Sequence, residues 1–163
     1  MKSAQNEKLV LMVRTGLLAA LICLLTALLH IPTPNGYIHC GDAVIFLAAA
    51  TLPLPYAVAA AAFGGAMADF LTGYAAYILP TFLIKGAIAA VFSKIGGSAL
   101  ISRRRVMACV VCGIISIMGY YAAAVILYGN AAAQILETVP ANLVQAAASS
   151  VLYFAIARVT QPT

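Results

Sequence analysis

Three ionisable side chains stand inside otherwise apolar stretches of this sequence: Asp42, Asp69 and Lys85. A charge in such a stretch is costly unless it meets a partner, a cavity or a ligand. Further along, Asn142, Gln145 and Ser149 recur at i, i+3 and i+7, a spacing that puts them on one helix face. Amides buried there need hydrogen-bonding partners. Tyrosines cluster nearby in sequence, at Tyr74, Tyr77, Tyr120, Tyr121 and Tyr128. The chemistry these residues suit is recognition: aromatic walls for a flat ligand and a few amides for its ring heteroatoms. Residues read as lining such a pocket are Asn35, Tyr37, His39, Asp42, Asp69, Tyr74, Tyr77, Lys85, Tyr121, Asn142, Gln145 and Ser149. A plainer reading stands beside it, in which Lys85 pairs with Asp42 or Asp69 to hold helices together and the tyrosines form an interfacial belt. Both can hold at once.

Catalysis has little to stand on. His30, His39, Cys40 and Asp42 are close in sequence and carry groups that bind transition metals. They follow no strict ligand spacing, and no metal site is assigned. Cys109-Val-Val-Cys112 has the look of a redox or metal pair, but no second pair accompanies it. Cys23, Cys109 and Cys112 read as small apolar residues of helices. No phosphate-binding loop is present, and the chain reads as a non-enzyme.

The elements that must position these residues follow from composition. Of 163 residues, 64% are hydrophobic and only 8% charged, with a mean hydropathy of +1.05. A soluble domain carries about 25% charged residues, so this chain could not cover a water-facing surface. A soluble enzyme, a nucleic-acid module and a disordered tail are excluded. The expected fold class is an all-α integral membrane protein, one compact bundle over residues 1–163. Six apolar runs are long enough, or nearly so, to cross a bilayer: 9–29, 42–52, 56–71, 78–95, 106–127 and 140–159. Pro53 and Pro55 split the second run from the third. Pro140 suits the first turn of the sixth. Residues 30–40 read as a long outer loop, able to fold over an opening. The first run exceeds a signal-peptide core, which argues against a cleaved leader.

Charge sets the expected orientation, since Lys and Arg collect on the cytoplasmic side. Lys2, Lys8, Arg14, Lys94, Arg103, Arg104, Arg105 and Arg158 all fall there if both termini are cytoplasmic. The net charge of +5 then reflects topology, with Arg103–Arg105 as its anchor, and not a nucleic-acid partner. A re-entrant hairpin of the second and third runs would give the same count. Small residues at four-residue spacing, such as Ala57, Ala61 and Gly65, mark helix-packing seams. Thr15, Gly16, Ala19 and Ala20 form a similar face on the first helix, either an internal seam or a docking surface.

Gly41-Asp42-Ala43-Val44 opens the second run, Gly64 to Gly73 encloses Asp69, and Pro80 precedes Lys85-Gly86. In order and spacing these stretches resemble the substrate-binding S component of energy-coupling factor (ECF) transporters, over nearly the whole chain. The resemblance implies a small protein of the prokaryotic cytoplasmic membrane that captures a vitamin or precursor from outside. It implies as partners a transmembrane coupling subunit and two cytoplasmic ATPases, which use the ATP; this chain would bind no cofactor. Thr15, Gly16, Ala19 and Ala20 would face the coupling subunit, and the 30–40 loop would gate the pocket. With no Trp, tyrosines would supply the aromatic walls. The cargo would be a small, largely neutral heteroaromatic compound, with Lys85 able to tolerate an anionic group. The competing class is an independent proton-coupled secondary transporter relaying protons through Asp42, Asp69 and Lys85.

Overall fold

The computed structural model describes residues 2–33 and 36–160. The chain forms α1 (Lys2–Leu28), a hairpin of β1 (His30–Thr33) and β2 (Gly36–His39), α2 (Gly41–Thr51), α3 (Leu54–Thr72), a single 3-10 turn at Ala75–Tyr77, α4 (Ile78–Gly96), α5 (Arg103–Tyr128) and α6 (Ala131–Thr160). Five of these helices, all but α2, are long and apolar enough to cross a membrane. Leu9, Leu17, Phe63, Phe70, Val110, Ile126 and Val151 stand on their outer faces. Such an apolar exterior is stable only against lipid.

The short helix is the centre of the bundle. Eleven residues rise only about 16 Å, yet α2 packs against α1, α3, α4 and α6. Gly41 through Phe46, Ala48 and Ala49 are buried. Phe46 stacks on Phe92 of α4 at 4.6 Å between centroids, and Tyr153 of α6 meets both rings edge-on. Offset stacks and edge contacts are the favoured aromatic geometries.

Small residues let the outer helices close on this centre. A Cβ on Gly64 would lie 2.7 Å from the Ala19 carbonyl and 3.0 Å from the Ile22 side chain, so α1 and α3 meet backbone to backbone. A Cβ on Gly65 would press on Thr81 and Lys85 of α4. The Ala57/Ala61/Gly65 stripe is therefore an internal seam. On α1 the small face divides: Ala19 belongs to the seam, whereas Gly16 and Ala20 are exposed, with open space around Gly16. Thr15 turns its hydroxyl back to Leu11 O at 2.7 Å.

Three sequence expectations change here. Residues 30–33 and 36–39 pair as antiparallel strands, His30 opposite His39 and Thr33 opposite Gly36. The sixth helix starts at Ala131, with Pro140 inside it. Its start is set by Asn130, at φ 47°, whose Oδ1 accepts from Ala133 N at 3.2 Å. Arg105 is no solvent-facing anchor. It is 1% exposed, lies over the Phe92 ring, and donates to the carbonyls of Ala99, Phe92 and Gly97. The guanidinium thus closes the C-terminal end of α4, where carbonyls have no helical partners. Arg103 and Arg104 are exposed.

Gly64→Leu should overpack the α1–α3 contact and cost about 1–3 kcal/mol, read as a lower thermal midpoint of the purified protein. Gly16→Ala, made in open space within α1, should not lower that midpoint.

Candidate functional site

At the hairpin end of the bundle the helices part around a cavity of about 60 Å³. That is room for about two waters. Thr33, Gly36, Tyr37 and His39 of the hairpin form its roof, Thr26, Asp69, Thr81 and Tyr120 its walls on α1, α3, α4 and α5. Tyr74 and Tyr77 come from the 3-10 segment, and Glu137, Thr138, Ala141, Asn142 and Gln145 from α6.

Beneath it lies a knot of polar groups. Lys85 Nζ meets Asp42 Oδ1 at 2.6 Å, both side chains almost wholly buried. Asp42 Oδ2 accepts from Gln145 Nε2 at 3.0 Å, and Gln145 Oε1 accepts from the backbone N–H of His39 at 3.2 Å. One chain of contacts therefore ties α4, α2, α6 and the hairpin. His39 Nδ1 accepts from Gly41 N at 3.0 Å, which fixes the neutral ring as the Nε2–H tautomer. Gly41 must be a glycine, since a Cβ would overlap the Thr26 hydroxyl.

The roof is latched at two further points. Tyr37 donates its phenol to Asp69 Oδ1 at 2.5 Å, and Tyr74 donates to Gly36 O at 3.2 Å. The Tyr37 ring also packs on His30, His39 and Tyr74. Burial and the adjacent Asp69 carboxylate push the Tyr37 phenol well up, so it stays a donor. Burial, with Lys85 nearby, pushes the His39 imidazole down to about 3.

The structure brings Tyr37, His39, Asp69, Tyr74, Tyr77, Asn142 and Gln145 to the cavity. Asp42 and Lys85 sit behind its wall and are spent on each other. Lys85 lies 5.1 Å from the Tyr120 ring, which screens it from the cavity. Ser149 is fully buried and outside the cavity, and Asn35 lies outside the described residues. Tyr121 also lies outside, donating to Ala131 O at 3.4 Å; its neighbour Tyr120 faces in and shares a hydrogen bond with Thr81 at 3.1 Å. Sequence reasoning noted Tyr120 among the tyrosines but left it out of the lining, and passed over Thr26, Thr81 and Thr138. Thr81 is one helical turn from Lys85, and Thr138 one turn from Asn142, signals the periodicity carried. The four cysteines are free, and no group of metal ligands forms among the described residues.

A capped polar cavity in a small membrane bundle is the setting for comparison with known proteins. The family model for the ECF-type riboflavin transporter, S component, matches residues 6–160. The chain belongs to that family. A relative from Pyrococcus woesei, described only as an uncharacterized protein in gap 3'region, is 32% identical over 106 residues. The match covers 64% of this chain and 71% of the relative. Membership makes the chain a multi-pass membrane transporter component of the S type.

Two consequences of the knot are measurable in this S component. Lys85→Met should leave Asp42 buried and uncompensated, at a cost of about 3–5 kcal/mol; removing both charges in Lys85→Met/Asp42→Leu should recover much of it in a thermal melt. The second concerns pH. Unfolded His39 titrates near 6.5 and the folded residue near 3. The unfolded state binds more protons between those values, so stability is complete above about 6.5 and falls as pH drops toward 3. His39→Asn keeps an acceptor for Gly41 N and cannot titrate; its melting temperature should fall less steeply with acid than the wild type's.

Proposed function

We propose that this chain is the substrate-binding subunit of an ATP-driven ECF-type importer and that its cargo is riboflavin or a close heteroaromatic relative. The observation that carries this reading is the family match across residues 6–160, joined to a roofed cavity with tyrosine walls and amide groups at one end of the bundle. Tyr37, Tyr74, Tyr77 and Tyr120 would flank a flat ring system, and His39, Asp69 and Asn142 would address its polar edge. Asn142 donates one N–H to Thr138 O at 2.9 Å, which orients the amide for a ligand. Gln145 is a positioning residue in this account, since its oxygen and one N–H already serve the knot.

The cavity of about 60 Å³ is far below the 300–1,000 Å³ of small-molecule sites. Loading therefore requires the hairpin to lift, breaking the Tyr37–Asp69 and Tyr74–Gly36 bonds, and to close again over the cargo. Seven of the nine Lys and Arg residues lie toward the opposite end of the bundle, near the α1 start, the α4–α5 connection and the α6 end, with Arg14 halfway along α1. By the positive-inside rule that end is cytoplasmic, with both termini, and the cavity opens outward across a prokaryotic cytoplasmic membrane. A transmembrane coupling subunit would dock on the exposed Gly16/Ala20 face of α1, and two cytoplasmic ATPases would hydrolyse the ATP. This chain binds no cofactor of its own in that scheme, and no nucleic acid. A proton relay through Asp42 and Lys85 is disfavoured, because the pair is buried and mutually spent.

Riboflavin should bind the purified chain without ATP, and its uptake by cells should require ATP and the coupling partners; uptake by this chain alone would favour a secondary transporter. Asn142→Ala should weaken binding about tenfold, the loss of one hydrogen bond to a polar ring atom, as read by quenching of flavin fluorescence. Gly16→Leu with Ala20→Leu should leave binding intact and impair uptake.

A further inference from the structure

Most hydrogen-bond donors in the cavity lining already serve the protein. Tyr37 donates to Asp69, Tyr74 to Gly36 O, and Thr138 to Gln134 Oε1 at 3.3 Å. His39 lines the same cavity and is only 6% exposed, but its ring is held by its acceptor side. Nδ1 accepts from Gly41 N at 3.0 Å, and the Thr26 hydroxyl lies 3.5 Å from the same nitrogen. The ring also packs on Tyr37, 5.6 Å between centroids, and the His39 backbone N–H is fixed on Gln145 Oε1. Backbone and ring are thus both anchored.

That anchoring leaves one tautomer. A proton on Nδ1 would face the Gly41 N–H, donor against donor, so the proton of the neutral ring sits on Nε2. A second proton is kept off by burial and by Lys85, which push the imidazole down to about 3. A hydroxyl can rotate to give or to take a hydrogen bond; this nitrogen only gives. With Nδ1 turned to Gly41, Nε2–H is the polar edge that the ring offers to the cavity.

We infer that His39 is a specificity-determining residue: its Nε2–H, set as a donor by Gly41, gives a hydrogen bond to a carbonyl oxygen or an unprotonated ring nitrogen of a heteroaromatic cargo. The inference rests on the reading of the cavity as the cargo site, and it gives the hairpin wall of that site a sign. The edge of the cargo that meets His39 must carry an acceptor. A flavin ring system has such acceptors in its carbonyls and unprotonated ring nitrogens. A ring that turned an N–H toward His39 would set two donors against each other, and a site built for one sign of hydrogen bond discriminates strongly against the other.

The test is riboflavin binding by two variants that separate the two ring nitrogens. His39→Asn keeps an acceptor for Gly41 N and loses the Nε2 donor. His39→Gln carries an N–H out to where Nε2 stands and loses the Nδ1 acceptor. His39→Asn should bind riboflavin at least about tenfold more weakly than the wild type, with a melting temperature near the wild type's at neutral pH. His39→Gln should recover part of the affinity although it melts lower. A histidine that serves the fold alone gives the reverse order of affinities. That order, or wild-type affinity in His39→Asn, would overturn the inference and leave the riboflavin reading standing. A wild type that binds no riboflavin would remove that reading and the inference together. A second readout needs no variant. The chain has two histidines, so NMR spectra of isotope-labelled histidine isolate His39 in the wild type. They should show the Nε2–H tautomer and a shift of that N–H signal when riboflavin is added. An Nδ1–H tautomer, or an Nε2–H signal that saturating riboflavin leaves in place, would overturn the inference.

Discussion

A lysine and an aspartate buried side by side inside a membrane bundle govern this structure. Neither charge could be left alone in that medium, where an unpaired ion costs several kcal/mol. At 2.6 Å they satisfy each other, and the spare oxygen of Asp42 takes the Gln145 amide, which in turn holds the His39 backbone. The pair specifies one register of α2 against α4 and α6, because a slip of either helix would separate the charges. It also explains why an eleven-residue helix can stand at the centre: α2 is buried from Gly41 to Phe46, and both carboxylate oxygens of its Asp42 are paired.

From that knot the cavity inherits both its position and its character. The groups that close the floor are spent on one another, and the polar groups lining the space above them include Asp69, Asn142 and the tyrosine hydroxyls. The roof is held differently. Tyr37 to Asp69 and Tyr74 to Gly36 are single hydrogen bonds at the rim of a two-stranded hairpin. Isolated hairpins are marginal by themselves, and local opening is cheapest where few buried contacts must break. In the proposed function, a rigid floor beneath a lightly latched roof would let cargo enter without disturbing the packing that sets the fold.

Much of this was legible in residue order. Apolar run lengths mark the membrane helices, Pro53 and Pro55 mark the α2–α3 turn, and the i, i+3 spacing places Asn142 and Gln145 on one face. What was not legible depends on register or on short range. Lys85 had two possible carboxylate partners, and only the packing of α4 on α2 selects Asp42. Tyr120 and Tyr121 differ by 100° around a helix, so an adjacent pair could not show which one faces in. Strands of four residues leave too little alternation to be told from a loop, although Pro34-Asn35-Gly36 is a turn signal. Pro140 hid the first nine residues of α6, since a proline inside a membrane helix is tolerated where neighbours compensate. Arg105 looked like its two exposed neighbours until its carbonyl partners came into view.

The account stands or falls on whether the cavity at the hairpin end accepts a flavin. Native mass spectrometry of the detergent-purified chain, incubated with riboflavin and then stripped of free ligand, reads this directly. The account predicts a one-to-one complex that releases riboflavin on denaturation and is lost when the roof and wall are disturbed together in Tyr37→Phe/Asn142→Ala. A wild-type chain that stays ligand-free at saturating riboflavin would contradict it.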